Sequence, residues 1–138
     1  MADLMICEIV TPDQRLFSGD AVLVSAPAAE GEIGFMYLCS PLMSTLRRGC
    51  VRVKKTETSE PQRFAVDGGY VEADGYRVVV LASRAIDINK VDTSISKERI
   101  AANEKRLAEL SPGDSRAVFM RQEIEWQTYL INAKTSKE

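Results

Sequence analysis

Short apolar runs, each ending at turn-forming residues, dominate the first 82 positions of the chain. Residues 6–10 and 21–25 are rich in β-prone side chains, and residues 51–54 alternate apolar with polar as a half-exposed strand does. The spacing of these runs is typical of a β-sandwich or barrel. Asp74-Gly75 lies between two of them and favours the positive φ angles of a two-residue hairpin turn. The pattern therefore predicts an all-β unit.

The pattern changes after Ala82. Residues 83–91 mix apolar and polar positions and predict a linker, after which Asp92 or Thr93 can cap a helix through its side-chain oxygen. The helix has one narrow face at helical spacing, formed by Ile100, Asn103, Leu107 and Leu110. Pro112-Gly113 is expected to end it, because proline removes a backbone donor and glycine tolerates the exit geometry.

A second helix is predicted from about residue 115 to residue 133. It carries two adjacent stripes, one formed by Ala117, Met120, Ile124 and Ile131 and the other by Phe119, Trp126, Leu130 and Ala133. We therefore expect an α+β fold with two domains. A β-sandwich of about ten short strands occupies residues 1–86, and a linker with a two-helix antiparallel hairpin occupies residues 87–138.

The predicted hairpin has little apolar surface to bury. Its first helix offers about four large side chains, each contributing roughly 1.5–3 kcal/mol on burial, whereas ordering each residue's backbone costs roughly 1–2 kcal/mol. Such a hairpin must dock on the sandwich or on a partner, and a small difference between two docking surfaces lets it switch. The alternative is a plain lid that never leaves the sandwich.

Composition narrows the class of protein. A chain of 138 residues with 45% hydrophobic content can bury one substantial core. No apolar run approaches the roughly 18 residues that span a bilayer, and residues 1–10 carry acidic side chains where a signal peptide has basic ones. We expect a soluble protein that is cytoplasmic or peripheral to a membrane. The net charge of −2 lacks the basic excess that nucleic-acid binding requires.

The chain contains three cysteines and no histidine. Cys7, Cys39 and Cys50 are widely spaced, which disfavours a disulfide framework or a zinc site, and Cys7 and Cys50 are expected to be small core residues. The missing histidine excludes Ser-His-Asp and Cys-His catalysis and removes the commonest metal ligand. We therefore predict no catalytic residues, no metal site and no cofactor.

Three other features have structural explanations. The Gly31-x-x-Gly34 and Gly68-Gly69 elements lack the full spacing of phosphate loops and predict turns or bulges instead. The basic cluster within residues 47–55 lacks interleaved aromatic residues and predicts a solvated strand face. Glu30 and Glu32 have no apolar enclosure that would separate their pKa values, so they are expected to be solvated or paired with basic groups of a partner.

Residues 31–53, GEIGFMYLCSPLMSTLRRGCVRV, form a motif together with Phe17-Ser18-Gly19 upstream and FAVDGGYVE at residues 64–72 downstream. In this order the segments resemble the epsilon subunit of bacterial F-type ATP synthases. The resemblance implies a non-catalytic rotor subunit of a proton- or sodium-translocating synthase. Its sandwich would link the gamma subunit to the c-ring, and its helices would regulate ATP hydrolysis and meet the alpha and beta subunits. It would be peripheral on the cytoplasmic face of the cell membrane without inserting into lipid.

The same resemblance implies two contact segments. The c-ring contact would be formed by Glu30, Gly31, Glu32 and Ile33. The gamma contact would be formed by Tyr37, Leu38, Cys39, Ser40, Pro41 and Leu42, where related sequences usually read Pro-Gly-His-x-Pro-Leu. The departure from that pattern leaves the turn geometry open. An exposed Tyr37-Leu38 would suit a protein interface, and burial under the sandwich rim is the alternative.

Some epsilon subunits resemble one another in an Ile-Asp-x-x-Arg-Ala motif that binds ATP. The matching residues here are 91–96, which keep Asp92 but have Ile95 and Ser96 where the motif has arginine and alanine. Isoleucine offers neither charge nor donors to a triphosphate, so the motif is degenerate and Asp92 is better interpreted as a helix cap. A nucleotide-sensing module whose hairpin closes on ATP is the alternative function. An independent enzyme is disfavoured.

Overall fold

The computed structural model describes residues 3–136, in which ten strands precede two α-helices. The strands are β1 Met5–Val10, β2 Arg15–Ala21, β3 Leu23–Ala28, β4 Gly31–Phe35, β5 Leu42–Thr45, β6 Gly49–Lys54, β7 Gln62–Val66, β8 Gly69–Ala73, β9 Arg77–Ala82 and β10 Ala85–Asp87. A short 3₁₀ helix, Ile88–Lys90, leads to α1 Thr93–Glu109 and α2 Arg116–Thr135. The predicted α+β fold, a sandwich followed by a helical hairpin, is confirmed.

The strands form two five-stranded sheets. The first has the order β2-β1-β9-β8-β5 and the second the order β10-β7-β6-β3-β4. Neighbouring strands are antiparallel except β1 and β9, which pair in parallel with Cys7 opposite Val78 and Ile9 opposite Val80. The first strand therefore lies beside one that is about 70 positions later in the sequence, which ties the start of the β region to its ninth strand.

Period-two burial places the core between the two sheets. In β1 the side chains of Met5, Cys7 and Ile9 are buried and alternate with more exposed positions. The apolar cluster receives side chains from both sheets, and Phe35 and Phe64 are its largest members. Burial raises the pKa of the Cys7 thiol to about 12. The prediction for Cys7 is confirmed, whereas Cys50 is half-buried and lies outside this cluster.

Two glycine-containing turns depend on backbone geometry. Gly69 has a φ of +114°, and a Cβ at this position would overlap the carbonyl oxygen of Leu81 on the paired strand. The β8–β9 turn is centred one residue later than the sequence predicts, on Gly75 and Tyr76, with Gly75 at a φ of +90°. Asp74 instead accepts the backbone N–H groups of Tyr76 and Arg77 with its carboxylate. These bonds lower the pKa of the Asp74 carboxyl.

The prediction of a linker over residues 83–91 is wrong for its middle part. Residues Ala85–Asp87 form β10, which pairs with β7 from Val66 to Phe64. This strand has only three residues of mixed polarity, so its pattern is too short to stand out from a loop. The chain divides into two compact units at this point, Met1–Asp87 and Ile88–Glu138. We call them the sandwich and the helical unit.

In the helical unit, α1 and α2 pack against each other. Asp92 caps α1, accepting the backbone N–H groups of Ser94 at 2.9 Å and Ile95 at 3.3 Å, as predicted for the cap. The turn before α2 is stabilised by Asp114, whose carboxylate accepts the backbone N–H of Arg116 at 2.9 Å and pairs with its guanidinium. The Arg116 side chain, through this bond and its charge, lowers the pKa of Asp114 to about 2.

The two helices bury unequal amounts of apolar surface. The predicted narrow face of α1 is half-buried along its length, and Ser96 is the residue of α1 that is fully buried. In α2 the buried residues are Ala117, Trp126, Gln127, Leu130 and Ala133. Phe119, expected on the same stripe as Trp126, is 73% exposed. Neither helix is long and apolar enough to cross a membrane, a finding that covers residues 3–136.

Candidate functional site

The predicted c-ring segment, which we call the acidic turn, begins with Glu30 in the tight turn between β3 and β4 and continues through Gly31, Glu32 and Ile33 at the start of β4. Ala28 pairs with Gly31 across this turn, and Gly31 adopts a φ of +137°. The β5–β6 connection braces the turn, because the backbone N–H of Ala29 donates to Thr45 O at 2.9 Å and that of Arg47 donates to Pro27 O at 2.8 Å. The Arg47 side chain also donates to Ala28 O at 3.2 Å. The turn is therefore held in one position at the edge of the sandwich.

The two carboxylates of this turn have different surroundings. Glu32 is paired within the chain, its Oε1 atom lying 3.1 Å from Nη1 of Arg52 on β6. Glu30 stands at the exposed tip of the turn. Ile33 is half-buried against the core of the sandwich. The turn therefore presents Glu30 outward, while Glu32 shares its charge with a neighbouring arginine.

The predicted gamma segment connects β4 to β5, and its residues alternate between burial and exposure. Tyr37 and Cys39 pack against the core, whereas Leu38, Ser40, Pro41 and Leu42 are exposed. Tyr37 also meets Tyr76 edge to face, with ring centroids 5.9 Å apart. Both alternatives for Tyr37-Leu38 thus apply, one to each residue: the tyrosine is partly buried and the leucine is exposed.

Leu38 has an unusual backbone conformation. Its φ is +64°, in the left-handed region that side chains other than glycine rarely adopt. The backbone N–H of Leu38 donates to Gly75 O at 2.7 Å, which ties this loop to the β8–β9 turn. The Leu38 side chain is 62% exposed, as are those of Met36 (60%) and Tyr76 (61%). Leucine thus occupies a backbone geometry that glycine would adopt without strain.

The two predicted contact segments lie at opposite ends of one strand. The acidic turn lies at the start of β4, and the Leu38 loop follows the end of this strand. A five-residue strand places these two ends about 15 Å apart. The sandwich therefore presents an acidic turn at one end and an exposed apolar loop at the other, and these segments do not form one contiguous site.

A third surface was not identified from the sequence. On the outer face of the first sheet, Leu81 of β9 pairs with Val10 of β1 on one side and with Tyr70 of β8 on the other. These side chains and Pro12 line a hollow of about 350 Å³, which we call the β9 hollow. Leu81 is 48% exposed and Tyr70 55%. The sequence feature that could have revealed it is the unbroken apolar run of residues 78–81, because a half-exposed strand is expected to alternate apolar and polar residues.

Two arginines of the basic cluster form ion pairs within the sandwich. Arg48 pairs with Asp67 at 3.0 Å, and Arg84, outside the cluster, pairs with the other oxygen of Asp67 at 2.7 Å. Arg52 of the cluster pairs with Glu32 at 3.1 Å. Within residues 3–136, His, Cys, Asp and Glu side chains form no group of three that could hold a metal ion.

A family model described as ATP synthase, Delta/Epsilon chain, beta-sandwich domain matches residues 4–88. ATP synthase epsilon chain 1 of Methylococcus capsulatus is 40% identical over 111 residues, which cover 80% of this chain and 79% of that one. The chain belongs to the ATP synthase epsilon chain family. The epsilon chain of Hyphomonas neptunium is 31% identical with 96% of this chain and 98% of its own length aligned, so the family likeness includes the helical unit.

Solved structures support the fold of this epsilon family member. A chain of the Euglena gracilis mitochondrial ATP synthase, described as OSCP/F1/c-ring, superposes with a TM-score of 0.75 at 15% identity, covering 94% of this chain and 81% of that one. A chain from the Tetrahymena thermophila mitochondrial ATP synthase gives a TM-score of 0.55 at 13% identity, covering 95% and 96%. The fold is therefore similar at identities where the sequences have largely diverged.

Proposed function

We propose that this epsilon chain is a non-catalytic subunit of the central stalk of a bacterial ATP synthase, coupled to proton or sodium translocation. In this role the sandwich links the gamma subunit to the c-ring, and the helical unit regulates ATP hydrolysis. The 40% identity to an ATP synthase epsilon chain carries the proposal. It is supported by the structural relatives, which come from assemblies described as central stalk/c-ring and OSCP/F1/c-ring.

The gamma contact is proposed to include the β9 hollow as well as residues 37–42. Exposed apolar side chains on a sheet face mark protein interfaces more often than isolated surface residues do. Leu81 and Tyr70 border the hollow, and Met43 on the edge strand β5 is 64% exposed on the same sheet. Leu42, one position before Met43 and opposite buried Ala73, faces the other side of this sheet. A partner that covers the outer face would bury Leu81, Tyr70 and Met43.

The c-ring contact is proposed at the acidic turn formed by Glu30, Gly31, Glu32 and Ile33. The exposed tip and the backbone bonds to Thr45 and Arg47 favour a rigid, charged contact. Its charged character suits a polar loop of the partner rather than lipid. The chain would then be peripheral on the cytoplasmic face of the membrane, held there through the complex.

The helical unit is proposed to contact the alpha and beta subunits when it regulates hydrolysis. Its exposed apolar side chains Ile95, Val118 and Phe119 would be available for such a contact. ATP is not proposed as its ligand. Asp92 uses its carboxylate to cap α1, and Ile95 occupies the position where the ATP motif has arginine. Calorimetric titration with millimolar ATP tests this, because saturable binding would favour the nucleotide-sensing alternative.

Binding to the cognate gamma subunit tests the proposed linking role. We expect the full chain to co-purify with gamma and Leu81→Asp to weaken binding at least tenfold, since it removes apolar contact area and introduces a charge into the hollow. Ile95→Asp, an equally exposed apolar position in the helical unit, is the matched control and should bind like the wild type. Wild-type chain that fails to bind gamma would overturn the role. Unchanged binding by Leu81→Asp would remove the β9 hollow from the interface.

A further inference from the structure

Gln127 is a polar residue on the buried side of α2. Its side chain is only 2% exposed, and it is among the largest fully buried side chains of the chain. The amide nitrogen donates to Oε1 of Glu123, one turn earlier, at 2.9 Å. The amide oxygen has no hydrogen-bond partner within the described residues. The amide nitrogen therefore has a hydrogen-bond partner, and the amide oxygen has none.

The sequence around Gln127 makes an amide unexpected here. The buried residues before and after it on α2 are apolar: Trp126, Leu130 and Ala133. A leucine or methionine has nearly the same volume as glutamine and would meet the same packing demand without a polar atom. Buried polar side chains nearly always have their hydrogen bonds completed, so each exception needs an explanation.

We propose that Gln127 is a built-in weak point that sets how readily the helical unit opens. A buried carbonyl oxygen without a donor keeps its desolvation penalty in the packed form. When the helical unit opens so that Gln127 is exposed, water donates a hydrogen bond to this oxygen and the desolvation penalty is removed. The free-energy difference between the packed and open forms is therefore smaller with glutamine at position 127 than it would be with an apolar residue. Use of this opening in regulation rests on the proposed function.

Hydrogen exchange of the full chain tests the proposal without any partner. Gln127→Leu should slow exchange of the amides of α1 and α2 about tenfold, the size expected for removing one unsatisfied buried acceptor. Methionine is unbranched and adapts more easily to its surroundings, so Gln127→Met should slow exchange even if leucine does not fit the site. Gln122→Leu makes the same change at an exposed position of the same helix and should leave exchange unchanged.

The outcomes separate the weak point from a structural role. Slower exchange in both Gln127 variants, with unchanged sandwich amides and an inert Gln122→Leu, supports the proposal. Unchanged or faster exchange in both would overturn it, since the amide would then contribute nothing or would stabilise α2 through Glu123. A second readout is ATP hydrolysis by the assembled synthase. Slowed exchange with unaltered hydrolysis leaves the weak point standing and contradicts the regulatory part of the proposed function.

Discussion

The sandwich and the helical unit bury their side chains in different ways. In the sandwich, alternate residues of both sheets enter one apolar cluster, with Phe35 and Phe64 nearly inaccessible to solvent. In the helical unit, α1 contributes no fully buried apolar side chain, and the buried face of α2 includes Gln127. The sandwich is thus held by an apolar core between two sheets, whereas the helical unit is held by a smaller buried face that comes mainly from α2 and includes a polar side chain.

An ion-pair cluster of the sandwich and an ion pair of the helical unit differ in how far apart their partners lie in the sequence. In the sandwich, Asp67 is half-buried between Arg48 and Arg84 and joins two parts of the chain that are far apart in sequence. In the helical unit, Asp114 pairs with Arg116, two residues away and mostly exposed. The first kind of ion pair ties strands together, whereas the second stabilises only the local turn. Asp67 therefore adds long-range order to the sandwich, whereas Asp114 acts within one turn of the helical unit.

The largest expected effect is at Gly69, where the sandwich tolerates no side chain. Gly69→Ala should lower the free energy of unfolding by about 3–5 kcal/mol, since the new Cβ overlaps Leu81 O and alanine is strained at a φ of +114°. Urea unfolding followed by circular dichroism measures this. Gly34→Ala is the matched control on β4, where the new Cβ would lie 3.6 Å from the Leu23 side chain in ordinary contact. Equal losses in both variants would contradict the close-approach explanation.

A smaller effect of opposite sign is expected at Leu38. Leu38→Gly should stabilise the sandwich by about 0.5–1 kcal/mol, because relief of the left-handed strain outweighs the greater entropy of glycine in the unfolded chain. Met36→Gly, an equally exposed neighbour without positive φ, should instead destabilise it slightly. Thermal unfolding of the two variants decides the matter. Destabilisation by Leu38→Gly would mean that the leucine side chain, though exposed, stabilises the fold.

The smallest expected effect is the loss of stability of the helical unit in acid. The folded-state pKa of Asp114 is lowered to about 2, below the usual value near 3.9, so its stabilising contribution is present above pH 4 and is lost as the pH falls toward 2. Asp114→Asn keeps an acceptor for the backbone but removes the ion pair. The difference in helix melting between wild type and Asp114→Asn should be full at pH 7 and shrink steeply as the pH falls from 4 through 2. A difference that does not change between pH 7 and pH 2 would assign the effect to packing instead of charge.

Much of the fold was predictable because local patterns and global packing agree. Alternation and turn residues predicted the strands, and Asp92 with Pro112-Gly113 predicted the ends of α1. β10 was missed because three residues of mixed polarity carry no period, and it is formed by pairing with distant β7. Phe119 shares the predicted stripe with Trp126 but is exposed, because helical spacing identifies a shared face and does not show how far along the helix that face is covered.

Two of the three candidate surfaces were predictable in position from the sequence, but their detailed contacts were not. The family motif located the acidic turn and the Leu38 loop, yet it could not indicate that Glu32 is paired with Arg52, 20 positions later. The positive φ of Leu38 depends on its bond to Gly75, on a strand connection far along the chain. The β9 hollow requires three strands to be adjacent, two of them paired in parallel. Contacts of this kind arise from the tertiary fold.

In the proposed function the sandwich performs the linking role alone and the helical unit regulates. ATP hydrolysis by a synthase reassembled with a chain that ends at Asp87, compared with the full chain, tests this division. We expect the truncated chain to fold, to bind gamma, to preserve coupling to ion translocation and to raise the rate of hydrolysis, because the regulatory helices are gone. Unchanged hydrolysis in a correctly assembled, coupled enzyme would make the helical unit a lid without a regulatory role.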